Sequence, residues 1–416
     1  MPSTTGSRSP RWLVGVTEYA GLTAYTGGIG RHYASLLPGL VRAGIDVDLI
    51  VFSRGDLVRR EPPGGVRLVA HRRLPLAPAW IEPVVRALDF RAIAGLRRYD
   101  RILLPEWGGI GAALPRSAPL VTNLATGMRL SDVISGVRAA ELPWSRRVVA
   151  SVQRWCEEAQ IRHSRGVLPI STAMDEATRR LVRDVPPGVV VRNCVEVESV
   201  RRGAATASVP EGWPAGDGPV VLFLGRLERR KGVIDAAEAF SRVAACLPET
   251  RFVFAGAPGD SRFEPTVADL DALLGRAAPH TRILGHVPGD ELYAAIAHAT
   301  VVVCPSRWEG FGQVALEAKA LGRPLVVTTG SGYDDFCTDD VDSLMVRPAD
   351  SRALARAIET LVQDPGRAAR LGAAAQAGVD RFTADAVAPD VVDAVTRLGA
   401  LPMPSRRLDA SRRRRG

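Results

Sequence analysis

The sequence predicts an α/β protein made of two Rossmann-like, doubly wound domains facing each other across a cleft. Three observations lead there. The chain has 416 residues, 46% of them hydrophobic, which is too long for a single core of about 100–200 residues. Short apolar runs alternate with helical patterns along its whole length, as βαβ units and parallel sheets require. A stretch without periodicity, rich in Gly, Pro, Ala and Ser, divides the chain at 198–218 and reads as a linker.

In the first half, strands are expected at Trp12–Val16, Val47–Phe52, Val66–Ala70, Arg101–Pro105, Leu120–Leu124, Val167–Ile170 and Val189–Arg192. Helices lie between them, among them Arg31–Ala43 and Arg146–His163. In the second half the strands are Val220–Leu224, Arg251–Ala255, Arg282–Leu284, Val301–Cys304, Leu325–Thr328 and Leu344–Val346, with helices such as Val233–Cys246, Val314–Leu321 and Ser351–Gln363. The organisation is therefore an N-terminal domain over 1–197, the linker, a C-terminal domain over 219–383, a further helix within 384–403 and a disordered basic tail over 404–416. In such sheets ligands sit beyond the carboxyl ends of the strands, here between the two halves.

No apolar run approaches the ~18 residues of a membrane span. The polar start MPSTTGSRSP, followed by only Trp12–Val16 before Thr17-Glu18, lacks a secretory apolar region, so a cytoplasmic location is expected. Five scattered cysteines without a C-x-x-C pair and six histidines without ligand spacing argue against disulfides and a metal site.

Charge is uneven. Residues 1–198 hold 27 basic and 18 acidic side chains, 199–405 hold 21 and 26, and 406–416 hold 6 and 1. A basic first half suits phosphates, a nucleic acid or an anionic membrane, or is an ordinary solvated surface. Nucleic acid is set aside, because no recognition signature and no basic stretch interleaved with aromatics is present. Of 54 basic residues only Lys231 and Lys319 are lysines, so their positions carry information.

Three motifs bear chemistry. Strand Trp12–Val16 leads to Thr26-Gly27-Gly28-Ile29-Gly30 and into a helix; main-chain amides and the helix start there fit a diphosphate. A plain strand-to-helix turn is the alternative, since Tyr33 replaces the third glycine of G-x-G-x-x-G. In the second half, Gly225-Arg226 ends a strand and Lys231-Gly232 precedes a helix, two cations able to clamp a diphosphate and stabilise it as it departs. A solvated charge run explains Arg229 and Arg230 but not the rare lysine. Finally, Glu309 lies in the loop Glu309-Gly310-Phe311-Gly312 after a buried strand, and Glu317 follows two helical turns later. Such carboxylates accept hydrogen bonds from sugar hydroxyls, while the loop amides face an anion.

Gly225-Arg226…Lys231-Gly232 followed by Glu309-x7-Glu317, with the glycine loop and Pro105-Glu106-Trp107-Gly108-Gly109 in the first half, resembles the retaining family-4 glycosyltransferases of GT-B fold, the glycosyl transferases of group 1. The resemblance implies transfer of a sugar from a nucleotide diphosphate sugar to a hydroxyl acceptor, small-molecule or lipid-linked, with retained configuration and with no metal or further cofactor. It implies that Arg226 and Lys231 hold the diphosphate beside Gly225, and that Glu309 and the amides of Phe311 and Gly312 hold the donor sugar. Glu317 would take the ribose, Gly28 and Gly30 would close over the phosphates, and the last helix would cross back to the first domain.

Three positions depart from the family pattern: Ala125 stands where the family often has His, Arg192-Asn193-Cys194-Val195-Glu196 replaces Pro-Asn-Gly-Val-Asp, and Gly330-Ser331-Gly332-Tyr333-Asp334-Asp335 replaces a loop ending in Pro-Glu. Ala125 keeps open a non-catalytic nucleotide-sugar sensor or partner subunit. A pyridoxal phosphorylase would need a lysine outside the transferase pattern, and an epimerase would not explain the Arg226/Lys231 and Glu309/Glu317 set. Asp46-Val47-Asp48, Asp269-Leu270-Asp271 and Asp340-Val341-Asp342 are read as surface acids, not the Asp-x-Asp of a metal-dependent transferase. Arg59-Arg60, Arg72-Arg73, Arg97-Arg98, Arg146-Arg147 and Arg412–Arg415 allow peripheral contact with an anionic inner leaflet. The absence of a Trp- or Phe-bearing amphipathic helix beside them favours a soluble acceptor.

Overall fold

The computed structural model describes residues 8–24, 26–136, 143–259 and 264–400. The expected basic tail lies outside them.

The first sheet comprises β1 (Arg11–Val16), β2 (Asp46–Ser53), β3 (Arg67–Arg73), β4 (Arg101–Pro105), β5 (Leu120–Leu124) and β6 (Gly166–Pro169), all parallel, in the order β3-β2-β1-β4-β5-β6. Helices α1 (Gly28–Arg42), α2 (Glu82–Ala94), α3 (Met128–Ser135), α4 (Trp144–His163) and α5 (Thr172–Leu181) connect or cover it. Between the sheets runs α6 (Val197–Thr206). The second sheet comprises β7 (Val220–Leu224), β8 (Arg251–Ala255), β9 (Thr281–Gly285), β10 (Val301–Cys304), β11 (Leu325–Thr328) and β12 (Leu344–Val346), again parallel, in the order β12-β11-β10-β7-β8-β9. Its helices are α7 (Val233–Cys246), α8 (Val267–Leu274), α9 (Gly289–His298), α10 (Gln313–Ala320), α11 (Ser351–Gln363) and α12 (Pro365–Ala377).

Apolar clusters cover both faces of each sheet, which is why the strands read as continuous hydrophobic runs and not as alternating ones. Strand order reverses between β1 and β4 and between β7 and β10. Such switch points are where doubly wound sheets open a crevice. The last helix of the described residues, α13 (Ala384–Ala400), packs Val387, Val391, Val395 and Leu398 into the same cluster as Leu36, Leu37 and Leu40 of α1, so this helix is part of the first domain's core.

Three expectations need correction. Val189–Arg192 is not a strand: Val189 and Val191 donate to the Val167 and Pro169 carbonyls at 3.1 and 2.9 Å, but Pro169 has no N–H to return the ladder. The linker is not irregular throughout, because α6 runs through Thr206 across nearly half of it and buries Val197, Val200 and Gly203. Gly203 is required there by the close approach of Asp290 and Tyr293 on α9, each 2.8 Å from where a Cβ would stand. Nor are all the Asp-x-Asp acids at the surface. Asp48 is buried against Arg67 and Tyr99, and Asp342 is buried in an ion pair of 2.7 Å with Lys319. Lys319 also donates to the Phe336 carbonyl, so this lysine is structural.

Candidate active site

On the second domain, the turn after β7 is drawn against the end of β10. Gly232 has φ +74°, and a Cβ on it would stand 1.9 Å from the Pro305 carbonyl oxygen, so only glycine lets this turn close. That approach brings the Lys231 ammonium onto the Glu309 carboxylate in an ion pair. Ser306 Oγ donates to the same carboxylate at 3.3 Å and lies 3.3 Å from the Tyr333 hydroxyl. Burial opposes ionisation of Glu309, but Lys231 and Arg230, with the hydrogen bonds from Lys231 and Ser306, outweigh it and hold the carboxyl below its ordinary range.

The loop Gly310-Phe311-Gly312 is pinned from several sides. The Phe311 ring is buried against Phe336 and Phe382. Gly312 has φ +108°, with the Tyr333 ring 2.2 Å from where its Cβ would be. From the first domain, Ser171 Oγ donates to the Gly310 carbonyl at 2.6 Å. Gln313 Nε2 in turn donates to the Cys194 carbonyl at 3.0 Å. Gly225, φ +146°, ends β7 and donates its amide to the Ala255 carbonyl. Arg226, about half exposed, pairs with Glu228 at 2.8 Å; Arg230 holds the other oxygen of Glu228.

The first domain contributes α1 and the loop before it. The amides of Gly27 and Gly30 donate to the Glu18 carboxylate at 2.8 and 2.9 Å. The Gly30 amide, expected to face a donor phosphate, is thus engaged by the chain's own carboxylate in this state. Gly28 faces open space. The next residue, Arg31, spans the cleft: its Nη1 lies 3.1 and 3.2 Å from the two carboxylate oxygens of Glu317. Burial pushes the Glu317 carboxyl upward, and Arg31 only partly offsets it. The Tyr293 hydroxyl is pushed well up by the neighbouring Glu317 charge and by burial.

Opposite Gly310 stands Thr126, with its Oγ1 3.0 Å from the position of a Gly310 Cβ and with φ +103°, rare for a non-glycine residue. The Ala125 and Thr126 amides both donate to the buried Glu106 carboxylate, at 2.5 and 2.8 Å. Glu157 accepts from the Gly108 and Met128 amides at 2.9 and 2.6 Å. Burial, aided by the Glu157 charge, pushes Glu106 up to about 8, and burial pushes Glu157 up to about 7.

Of the residues singled out from sequence, Lys231 and Glu309 meet directly, with Phe311 and Gly312 in the loop that carries Glu309; Glu317 is reached by Arg31, while Arg226 and Gly30 are engaged by Glu228 and Glu18. Sequence reasoning missed Glu18, Arg31, Ser171 and Glu157. An arginine directly after the glycine loop was the available signal for Arg31. Glu106 was marked only as part of Pro105-Glu106-Trp107-Gly108-Gly109.

Comparison with known proteins finds family matches in both halves of the chain. Residues 209–378 match the family profile described as glycosyl transferases group 1, and residues 27–194 match that of the glycosyl transferase 4-like domain. A glycogen synthase of Mycobacterium tuberculosis is 30% identical over 396 residues, covering 86% of this chain and 87% of its own length. The chain belongs to the group 1, 4-like family of nucleotide-sugar glycosyltransferases. The transferase is also 32% identical over 414 residues to a D-inositol 3-phosphate glycosyltransferase of Acidothermus cellulolyticus, covering 90% and 85%. Among solved structures, sucrose-phosphate synthase from Thermosynechococcus elongatus superposes with a TM-score of 0.73 at 20% identity, covering 93% of this chain and 99% of that one. Anabaena HepE in complex with UDP-glucose follows at 0.65 and 17%, with 93% and 99% covered. The transferase has the GT-B fold.

Proposed function

We propose that the transferase moves a hexosyl group from a nucleoside diphosphate sugar to a hydroxyl acceptor, with retained anomeric configuration and without a metal ion. The observation that carries this reading is the Lys231–Glu309 pair at the β7/β10 switch point. Glu309, kept ionised, accepts a hydrogen bond from a donor-sugar hydroxyl beside the Phe311 and Gly312 amides. Lys231 is then the cation nearest the departing diphosphate, joined by Arg226 once it turns from Glu228. These charges, fixed in place before the reaction, stabilise the developing negative charge on the leaving group, which is the work a divalent ion does elsewhere. Glu317 takes the ribose hydroxyls when Arg31 yields it.

Relatives bearing the names glycogen synthase, D-inositol 3-phosphate glycosyltransferase and phosphatidylinositol monomannoside mannosyltransferase show that similar chains are named for soluble and for lipid-borne acceptors alike. A second reading, a nucleotide-sugar sensor, is favoured by Ala125, which brings no imidazole to the cleft. Incubation with UDP-, GDP-, ADP- and dTDP-glucose and the corresponding mannose donors separates the two, because a transferase slowly gives the sugar to water. The expected result is nucleoside diphosphate release with one donor, with the initial sugar anomer matching the donor by NMR. Tight donor binding with no release, with or without acceptor, identifies the sensor.

A further inference from the structure

We propose that the α3–α4 face of the first domain is a docking surface for an anionic lipid bilayer. On α4, Trp144, Val148, Ser151 and Trp155 fall at i, i+4, i+7 and i+11, a single stripe of the helix. Among the described residues nothing covers the stripe: Trp144 is 75% exposed, Trp155 60% and Val148 37%. The helix starts two residues before the expected Arg146, and that extra half-turn sets Trp144 in line with Trp155, which corrects the sequence expectation that no Trp-bearing helix accompanies the arginine clusters. On α3, which the Arg154–Asp132 ion pair of 3.2 Å ties to α4, Val133 is 61% exposed. Apolar side chains of this size left in water on one face mark an interaction site.

Charge identifies the occupant. Helices α3 and α4 carry Arg129, Arg146, Arg147, Arg154 and Arg162 against Asp132, Glu157 and Glu158, and Glu157 is buried. Arg146 and Arg147 stand two and three residues after Trp144 and are exposed. Two indoles, each an apolar plate with one polar edge, combined with surplus guanidinium groups match the headgroup region of an anionic bilayer better than an apolar protein partner. The position suits an acceptor delivered from that surface. Arg129, Leu130, Arg154 and Glu158 line a small cavity whose wall also includes Glu106 and Gly127. Gly127 adjoins Thr126, which faces Gly310 in the cleft. Docking by this face is independent of the transfer chemistry and is tested without it.

The test is co-sedimentation of the full chain with vesicles of phosphatidylcholine alone and of phosphatidylcholine with phosphatidylglycerol, at low and high salt. Binding to the anionic vesicles only, weakened by salt, is expected. W144A/W155A should lower the apparent affinity at least about tenfold with an unchanged circular dichroism spectrum and thermal midpoint. R146Q/R147Q should lower it roughly thirtyfold, whereas R352Q/R356Q, the same charge removed from α11, should leave it in place. Three outcomes overturn the proposal: no binding of the wild type to anionic vesicles at low salt; full binding by W144A/W155A with loss on deleting residues 404–416, which assigns it to the basic tail; or a concentration-dependent dimer, abolished in W144A/W155A, with no vesicle binding, which makes the occupant a second copy.

Discussion

Arg31 of the first domain and Glu317 of the second, 286 residues apart in sequence, form a two-pronged ion pair across the cleft, with Nη1 at 3.1 and 3.2 Å from the carboxylate oxygens. Glu317 is 1% exposed, so its charge needs a partner at all times. In the free transferase that partner is Arg31, and in the proposed complex it is the ribose diol with Arg31 still close by. The first domain thus satisfies the second domain's proposed ribose-binding carboxylate until the donor arrives.

Removing only Arg31 should therefore cost more than removing both members. Arg31→Ala is expected to lower stability by about 1–3 kcal/mol, the cost of leaving a buried carboxylate without its charged partner, while R31A/E317A recovers part of the loss. Thermal unfolding of the four members of the double-mutant cycle measures it. Additive losses in the double variant would show that the two side chains do not depend on each other.

Glu309 and Lys231 should prove the most sensitive positions for turnover. Glu309→Ala and Lys231→Ala are expected to slow transfer by roughly 30- to 1000-fold, or about 2–4 kcal/mol, with Glu317→Ala less severe. Lys231→Ala should also weaken binding of the nucleoside diphosphate product, as should Arg226→Ala, while Arg229→Ala has little effect. Calorimetry with the product nucleotide, beside initial rates, separates these effects. Equal losses at Arg229 and Lys231 would point to diffuse surface charge.

The Lys231–Glu309 pair also sets a pH dependence. Burial favours the protonated carboxyl, and Lys231 and Arg230 overcome it to keep Glu309 ionised. In Lys231→Met the carboxyl should regain its proton at higher pH, moving the acid limb of the rate profile upward. An unmoved limb in a variant with residual activity would show that Glu309 does not titrate in it.

Glu106 gives a stability signal of opposite origin. Burial, aided by the Glu157 charge and opposed by the Ala125 and Thr126 amides, raises its carboxyl to about 8 in the folded chain, above the 4.5 of a free side chain. Between those values the folded state holds a proton that the unfolded state has lost. The stabilisation is present below the unfolded value and is lost as pH rises through the folded one. Glu106→Gln, which cannot titrate, should gain stability relative to the wild type between about pH 5 and about pH 9. Urea denaturation at both ends reads the difference, and parallel behaviour of the two proteins would place the Glu106 proton elsewhere.

Transfer should continue in EDTA, since Lys231, Arg226 and the start of α10 supply the positive charge that the leaving diphosphate needs. Loss of activity on chelation, with recovery in Mg²⁺ or Mn²⁺, would overturn the metal-free reading.

By itself the sequence determined the two parallel sheets, the switch-point loops and the placing of a rare lysine and of Glu309 in the loops that follow two of the strands; that the two side chains meet is a result of the fold. Buried parallel strands are continuous apolar runs, and turns closing as tightly as those at Gly232 and Gly312 demand glycine, so both leave a local mark in the residue order. It also carried α6 and the Trp144–Trp155 stripe, but in forms too short to stand out: three buried positions in ten residues, and a stripe whose meaning depends on where α4 begins. Tertiary structure alone decided that Glu18 fills the glycine loop, that Arg31 serves Glu317, and that Trp155 stays in water while Cys156, beside it, is buried. Those outcomes depend on which surfaces the domains press together. A buried charge takes whichever opposite charge or amide the packing brings within about 3 Å, and spacing along the chain carries no record of that choice.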